Sequence, residues 1–193
     1  MFGLYITHPQ VMIDPLVPVP QWGLSEVGRQ RAEQTAQRPW VCSLKRIISS
    51  NEVKAVETAE ILASGAGVGF ERVEAMHEND RSATGFLEPA AFEAAADWFF
   101  AHPEESFRGW ERAIDAQRRI VEAVFGILSD HDPRQPVAFV GHGGVGTLLK
   151  CHFSGLPIAR NSDQPGGGGN LFAFTLDDRR LTCDWTAMEH WQP

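Results

Sequence analysis

The chain has 193 residues, 43% of them hydrophobic and 22% charged, with a formal net charge of −8. That composition suits a globular protein with room for one substantial core. The acidic balance argues against a general surface for nucleic acid or anionic membrane, but a small basic pocket remains compatible with it.

Phe2 to Ile6 is short, apolar and β-prone, and predicts a buried strand running into Thr7-His8-Pro9. Gln10 to Gln21 carries Pro15, Pro18 and Pro20 and predicts loop. Ser25 is the expected N-cap of a helix through Val27, Ala32 and Ala36 that stops before Pro39. Ile47-Ile48 ends a second short strand. Ser49-Ser50-Asn51 reads as a capping cluster, and Glu52 to Ala63 as a helix closing near Gly65. Phe70 to Met76 is expected as a third strand and His77 to Glu88 as irregular chain.

Pro89 to Ala101 predicts a helix opened by proline. Gly109 to Ser129 has the clearest helical pattern. Trp110, Ile114, Val121, Val124, Phe125 and Leu128 share one face, and Arg118-Arg119 fall on the solvated one. Val137 to Val140 predicts a buried strand, Gly141 to Gly146 a turn, and Val145 to Phe153 a helix. Gly166 to Gly169 reads as a mobile loop. Leu171 to Leu176 and Leu181 to Trp185 read as an antiparallel pair about Asp177-Asp178. Strands alternating with helices predict an α/β fold. The expected form is a three-layer α/β/α sandwich, with a mostly parallel sheet, helices on both faces and a mixed edge. One domain over residues 1–193 is expected, with an inserted helical and loop segment at about 79–110.

Cys42, Cys151 and Cys183 cannot all pair, and no C-x-x-C occurs, so a reducing, cytoplasmic setting is expected. No apolar stretch approaches a membrane span, and no basic start precedes an apolar run. Spacings such as H-E-x-x-H are absent, so neither metal nor other cofactor is expected.

Two histidines, His8 and His142, each stand where a hydrophobic strand ends. Ligands in open α/β sheets bind at the carboxyl ends of strands, so both imidazoles are expected at one pocket. Gly141-His142-Gly143-Gly144-Val145-Gly146 formally fits a dinucleotide fingerprint, but no later strand bearing an acidic ribose ligand follows, and too little chain remains for it. His142 also stands where a nucleophile elbow has serine. What remains is a glycine turn that carries a histidine to a helix N-terminus, whose free N–H groups favour an anion.

In order along the chain stand Thr7-His8-Pro9, Trp22-Gly23-Leu24-Ser25-Glu26-Val27-Gly28-Arg29, and Ser49-Ser50-Asn51-Glu52-Val53-Lys54-Ala55-Val56-Glu57-Thr58-Ala59. Met76-His77-Glu78, Gly141-His142-Gly143-Gly144 and Asn170 follow. In order and approximate spacing this set resembles the histidine phosphatase superfamily, the phosphoglycerate-mutase-like fold. The resemblance implies phosphoryl transfer to a small phosphorylated substrate through a phosphohistidine. It implies His8 as nucleophile, His142 as stabiliser of the phosphoryl charge, and Glu78 as general acid and then base. Ser50 and the Gly143 backbone are the further phosphate contacts it suggests.

Thr7 stands where the family has its first arginine, Lys54 where it has its second, and Pro9 where it has glycine. Threonine offers one hydroxyl and lysine a point charge in place of a planar fork. Arg81, three residues after Glu78, is expected to fold into the pocket and supply a replacement cation. The alternative is a degenerate member that binds a phosphorylated ligand or protein without turnover. Trp98, Phe99 and Phe100 are the candidate patch for a homodimer.

Overall fold

The computed structural model describes residues 1–193. Six strands form one sheet: β1 (Phe2–Thr7), β2 (Arg46–Ser49), β3 (Glu71–Arg72), β4 (Val137–Gly141), β5 (Asn170–Thr175) and β6 (Leu181–Ala187). Their order across the sheet is β3-β2-β4-β1-β5-β6. The pairs β3–β2, β2–β4 and β4–β1 are parallel, while β1–β5 and β5–β6 are antiparallel. The expected mixed edge is therefore present.

Side-chain alternation divides the core between the two faces. Leu4, Ile6, Ala138 and Val140 pack with α1 (Glu26–Ala36), α2 (Pro39–Ser43) and α3 (Val53–Ala66). Tyr5, Val137 and Phe139 pack with α4 (Pro89–Ala101), α5 (Ala113–Ser129) and α6 (Gly143–Ser154). No helix is long and apolar enough to cross a membrane.

Several boundaries differ from the sequence expectation. Ser25 caps α1 as expected, its side chain accepting from Gly28 N at 3.1 Å. Pro39 does more than end a helix, because it opens the short α2. Gly65 lies inside α3, where a Cβ would come within 2.5 Å of the Ala36 carbonyl oxygen. It serves the close approach of α1, and the helix ends instead at Gly67 with φ +68°. Of Phe70 to Met76, only Glu71–Arg72 pair with β2, and Glu74–Met76 form a 3₁₀ turn. α5 begins at Ala113 because Arg108 and Gly109 have φ of 48° and 91°, which no right-handed helix accommodates.

The candidate dimer patch is largely interior. Phe99 and Phe100 are 2% and 4% exposed, and Trp98 is half-buried and stacked on His102. The apolar periodicity of this helix faces the core and leaves no exposed aromatic triplet.

Candidate active site

β1 and β4 are adjacent and parallel, so both deliver their carboxyl ends to the same edge. His8 follows β1, and His142 follows β4. Their ring centroids are 5.3 Å apart and meet edge to face. His8 N donates to Gly141 O (3.0 Å), and His8 O accepts from Gly169 N (2.9 Å). The half-buried His8 ring places Nδ1 2.8 Å from the carbonyl of Pro9, which assigns the proton to Nδ1 and leaves the Nε2 lone pair free. The same proline that lacks an N–H thus supplies the acceptor that orients the ring.

His142 is fully buried. Tyr5 holds its backbone from below: the phenol donates to His142 O (3.2 Å) and accepts from His142 N (3.1 Å). His142 Nε2 lies 2.8 Å from Ser50 Oγ, and Nδ1 is buried without a partner. Burial, outweighing the nearby carboxylates, depresses His142 to about 3. Burial likewise lowers His8 to about 4, opposed by the Pro9 carbonyl and reinforced by Lys54. Both imidazoles are neutral at pH 7.

Glu78 reaches the N-terminus of α6, where its carboxylate accepts from Gly144 N (3.0 Å) and Val145 N (2.9 Å) as well as Asn79 N (3.0 Å). This explains why α6 begins two residues earlier than the apolar pattern suggests. A Cβ at Gly144 would stand 2.6 Å from Glu78 Oε1, so only glycine lets the carboxylate approach the helix end.

A cavity of about 400 Å³ opens over His8 and is also lined by Glu78, Asn79, Arg81, Gly143 and Gln164. Arg81 is half-buried on the cavity wall, with its guanidinium 4.7 Å from the Phe92 ring centroid. Ser50 touches His142 and also accepts from Glu52 N (3.2 Å).

Thr7 and Lys54 do not line this cavity. Thr7 is fully buried. Its hydroxyl donates to Gln164 Oε1 (2.7 Å) and accepts from Asn170 N (3.0 Å). Lys54 is 3% exposed, ion-paired with Glu52, and donates to Val19 O at 2.9 Å.

Three further residues matter that sequence reasoning missed. Glu52 lies 3.6 Å from His142 Nε2 and accepts from Glu78 N (2.9 Å). Its burial opposes ionisation, but His142 and Lys54 outweigh this and hold it at about 2. Arg119 is not on the solvated face assigned to it. Its guanidinium binds Glu111 (2.7 Å) and the carbonyls of Ala75 (2.8 Å) and His77 (2.9 Å), clamping the loop that carries Glu78. The chain folds back after α3, so this face of α5 meets the loop.

The third is Gln164. Its Oε1 accepts from Thr7 and from Asn170 Nδ2 (3.0 Å), which directs Nε2 over Gly143. A Cβ at Gly143 would come within 2.3 Å of that nitrogen.

The glycine loop is anchored at its Gly168–Gly169 end, while Gly166 and Gly167 are exposed. Gly167, Gly168 and Gly169 all have positive φ, and a Cβ at Gly168 would come within 2.3 Å of His8 O. Arg31 gathers the Gly168 and Gly169 carbonyls (3.0 and 3.2 Å), Gln10 Oε1 (2.9 Å) and Glu189 Oε2 (3.2 Å).

The fold has known counterparts. Bacillus stearothermophilus YhfR is 23% identical, with a TM-score of 0.81 over 97% of this chain and 98% of its own. A mycobacterial glucosyl-3-phosphoglycerate phosphatase in complex with VO3 is 21% identical, with a TM-score of 0.76 over 96% and 98%. A putative alpha-ribazole-5'-P phosphatase from Escherichia coli is 18% identical, with a TM-score of 0.75 over 98% of both chains. At these identities the likeness is one of fold. No curated protein sequence matches. The sequence model of the histidine phosphatase superfamily (branch 1) matches residues 19–187. That span is most of the chain, and the chain belongs to the histidine phosphatase superfamily.

Proposed function

We propose that this protein hydrolyses a small phosphomonoester through a phosphohistidine on His8. The observation that carries the reading is the His8–His142 pair, with rings 5.3 Å apart at one strand edge and His8 Nδ1 tethered to the Pro9 carbonyl. His8 Nε2 attacks phosphorus as a neutral imidazole. The phosphorus–oxygen bond of the ester breaks, and Glu78, which enters this step as the carboxylic acid, gives its proton to the departing alkoxide and becomes the carboxylate. Water then attacks phosphorus, the phosphorus–nitrogen bond breaks with its electron pair returning to His8 Nε2, and the Glu78 carboxylate takes the proton of the water. Phosphate leaves, and His8 returns to its starting form. No step calls for a metal ion.

Charge on the transferred group is met by preorganised donors. Arg81 supplies the cation from the cavity wall. Gln164 Nε2, aimed by Thr7 and Asn170, supplies a neutral donor beside Gly143. His142 supports the phosphoryl group from beneath His8.

A second reading, ligand binding without turnover, draws on the engagement of Lys54 with Glu52 and of the Thr7 hydroxyl with Gln164. Wild type and His8→Ala assayed on an aryl phosphate separate the two. The hydrolase reading expects turnover abolished by the substitution, together with an acid-labile, base-stable phosphoryl adduct trapped on wild type. Equal background in both proteins supports the binder.

A further inference from the structure

A second cavity, of about 660 Å³, adjoins the catalytic one. Glu78, Asn79 and Arg81 line both. One wall of the second is the run Pro15–Pro20, and the facing wall is the acid loop with Phe86. Phe86 leans on Trp22, ring centroids 5.9 Å apart, which backs it with a rigid aromatic. Leu16 is 94% exposed at this cleft, an apolar side chain with no protein partner. Lys54 pins the proline wall to the catalytic floor through Val19 O. The prolines themselves limit backbone freedom, so the wall is preformed.

The charge facing this cleft is unfavourable to an anion. Glu78 and Asp80 line it, with Glu52 already paired to Lys54, against Arg81 and the imidazole of His77. Asp80 accepts from Ser82 N (2.9 Å), a bond that favours its ionised form. Asn79 offers something different. It is 7% exposed, and its Nδ2 is buried without a partner on the wall shared by the two cavities. An uncharged acceptor near the ester oxygen would satisfy that donor.

We propose that the cleft between Pro15–Pro20 and Phe86 is the leaving-group subsite, and that it selects phosphomonoesters of uncharged, apolar or aromatic alcohols over those bearing a carboxylate. The proposal rests on the phosphatase reading for the word leaving-group. The ligand class it names is testable without turnover.

The test is calorimetric binding of phosphonates to the whole protein, with the phosphonate standing in for the phosphate ester. 1-Naphthylmethylphosphonate, 2-carboxyethylphosphonate and inorganic phosphate are compared on wild type, Phe86→Ala and Asp80→Asn. The naphthyl ligand is expected to bind at least about tenfold more tightly than the carboxyethyl ligand, the lower range for burying one aromatic group. Phe86→Ala should reduce that preference, and Asp80→Asn should improve the carboxyethyl ligand alone. Equal affinities, a preference untouched by Phe86→Ala, or binding by none of the three overturns the proposal. If the preference holds while His8→Ala leaves the aryl phosphate background unchanged, the cleft stands as a binding site and the hydrolase reading falls.

Discussion

Lys54 and Glu52 stand two residues apart and form a buried ion pair on the floor of the site, 3% and 9% exposed. Removing one member leaves the other unpaired, which costs about 3–5 kcal/mol for buried pairs. Lys54→Met should lower the unfolding free energy by that order in urea titrations. Glu52→Gln should act differently on ligand: it removes a negative charge beside His142 and frees Lys54. Affinity for inorganic phosphate should rise about tenfold, an attraction of ordinary Coulombic size near a protein surface. Unchanged or weaker phosphate binding would contradict this.

The neutral imidazoles set the acid response. His8 and His142 take up protons only near about 4 and about 3 when folded. In the unfolded chain a histidine does so near pH 6.5. Between those values the unfolded state binds more protons, so stability falls as pH falls from about 6.5 toward about 4. Above 6.5 these two groups contribute no slope. Urea midpoints measured from pH 8 to 4.5 should be flat and then decline. His8→Gln should make the decline shallower.

The Thr7 hydroxyl donates to Gln164 Oε1 at 2.7 Å. Gln164→Leu removes the donor above Gly143 and should reduce kcat by about 10²-fold, the usual effect of losing one preorganised donor. Thr7→Val leaves Gln164 free to turn and should move kcat in the same direction, whereas Thr7→Ser should restore it. The Thr7→Val/Gln164→Leu double variant should be little worse than Gln164→Leu alone. Strictly additive losses in kcat would show that the two residues act separately.

Arg119 holds the acid loop by three carbonyls and one carboxylate. Arg119→Lys cannot reproduce that planar fork. It should cost about 2 kcal/mol, within the range for charge-assisted hydrogen bonds. It should also lower kcat by loosening Glu78. Thermal unfolding and steady-state rates measured together would check both effects.

Gly166 and Gly168 provide a matched pair. A Cβ at Gly166 meets nothing within 4 Å, whereas at Gly168, with φ +62°, it meets His8 O at 2.3 Å. Gly166→Ala should be neutral in stability and rate. Gly168→Ala should destabilise by about 1–2 kcal/mol from the left-handed conformation alone and abolish activity by displacing His8.

What could be read in advance was local. The Ser25 cap depends on one turn of chain, and the strands ending at His8 and His142 are marked by their own apolar runs. Arg81 lies on the same cavity wall as Glu78 because it follows it within a few residues. Glu52, Arg119 and Gln164 escaped because their partners are distant in sequence: His142, the carbonyls after Ala75, and Thr7. Their residue types alone are those of an ordinary solvated surface. Gly65 misled for a related reason, since its absent side chain answers to Ala36 across a helix pair and not to a helix end.

The brace made by Arg31, the glycine turn and Glu189 also bears on how the protein comes to be competent. Glu189 follows Arg31 by 158 residues, so a chain in which β1 and β4 are paired but this segment is undocked lacks the counter-charge on which Arg31 is anchored. Ordering of the turn beneath His8 is therefore linked to the docking of the segment that carries Glu189, a dependence that reaches across most of the fold.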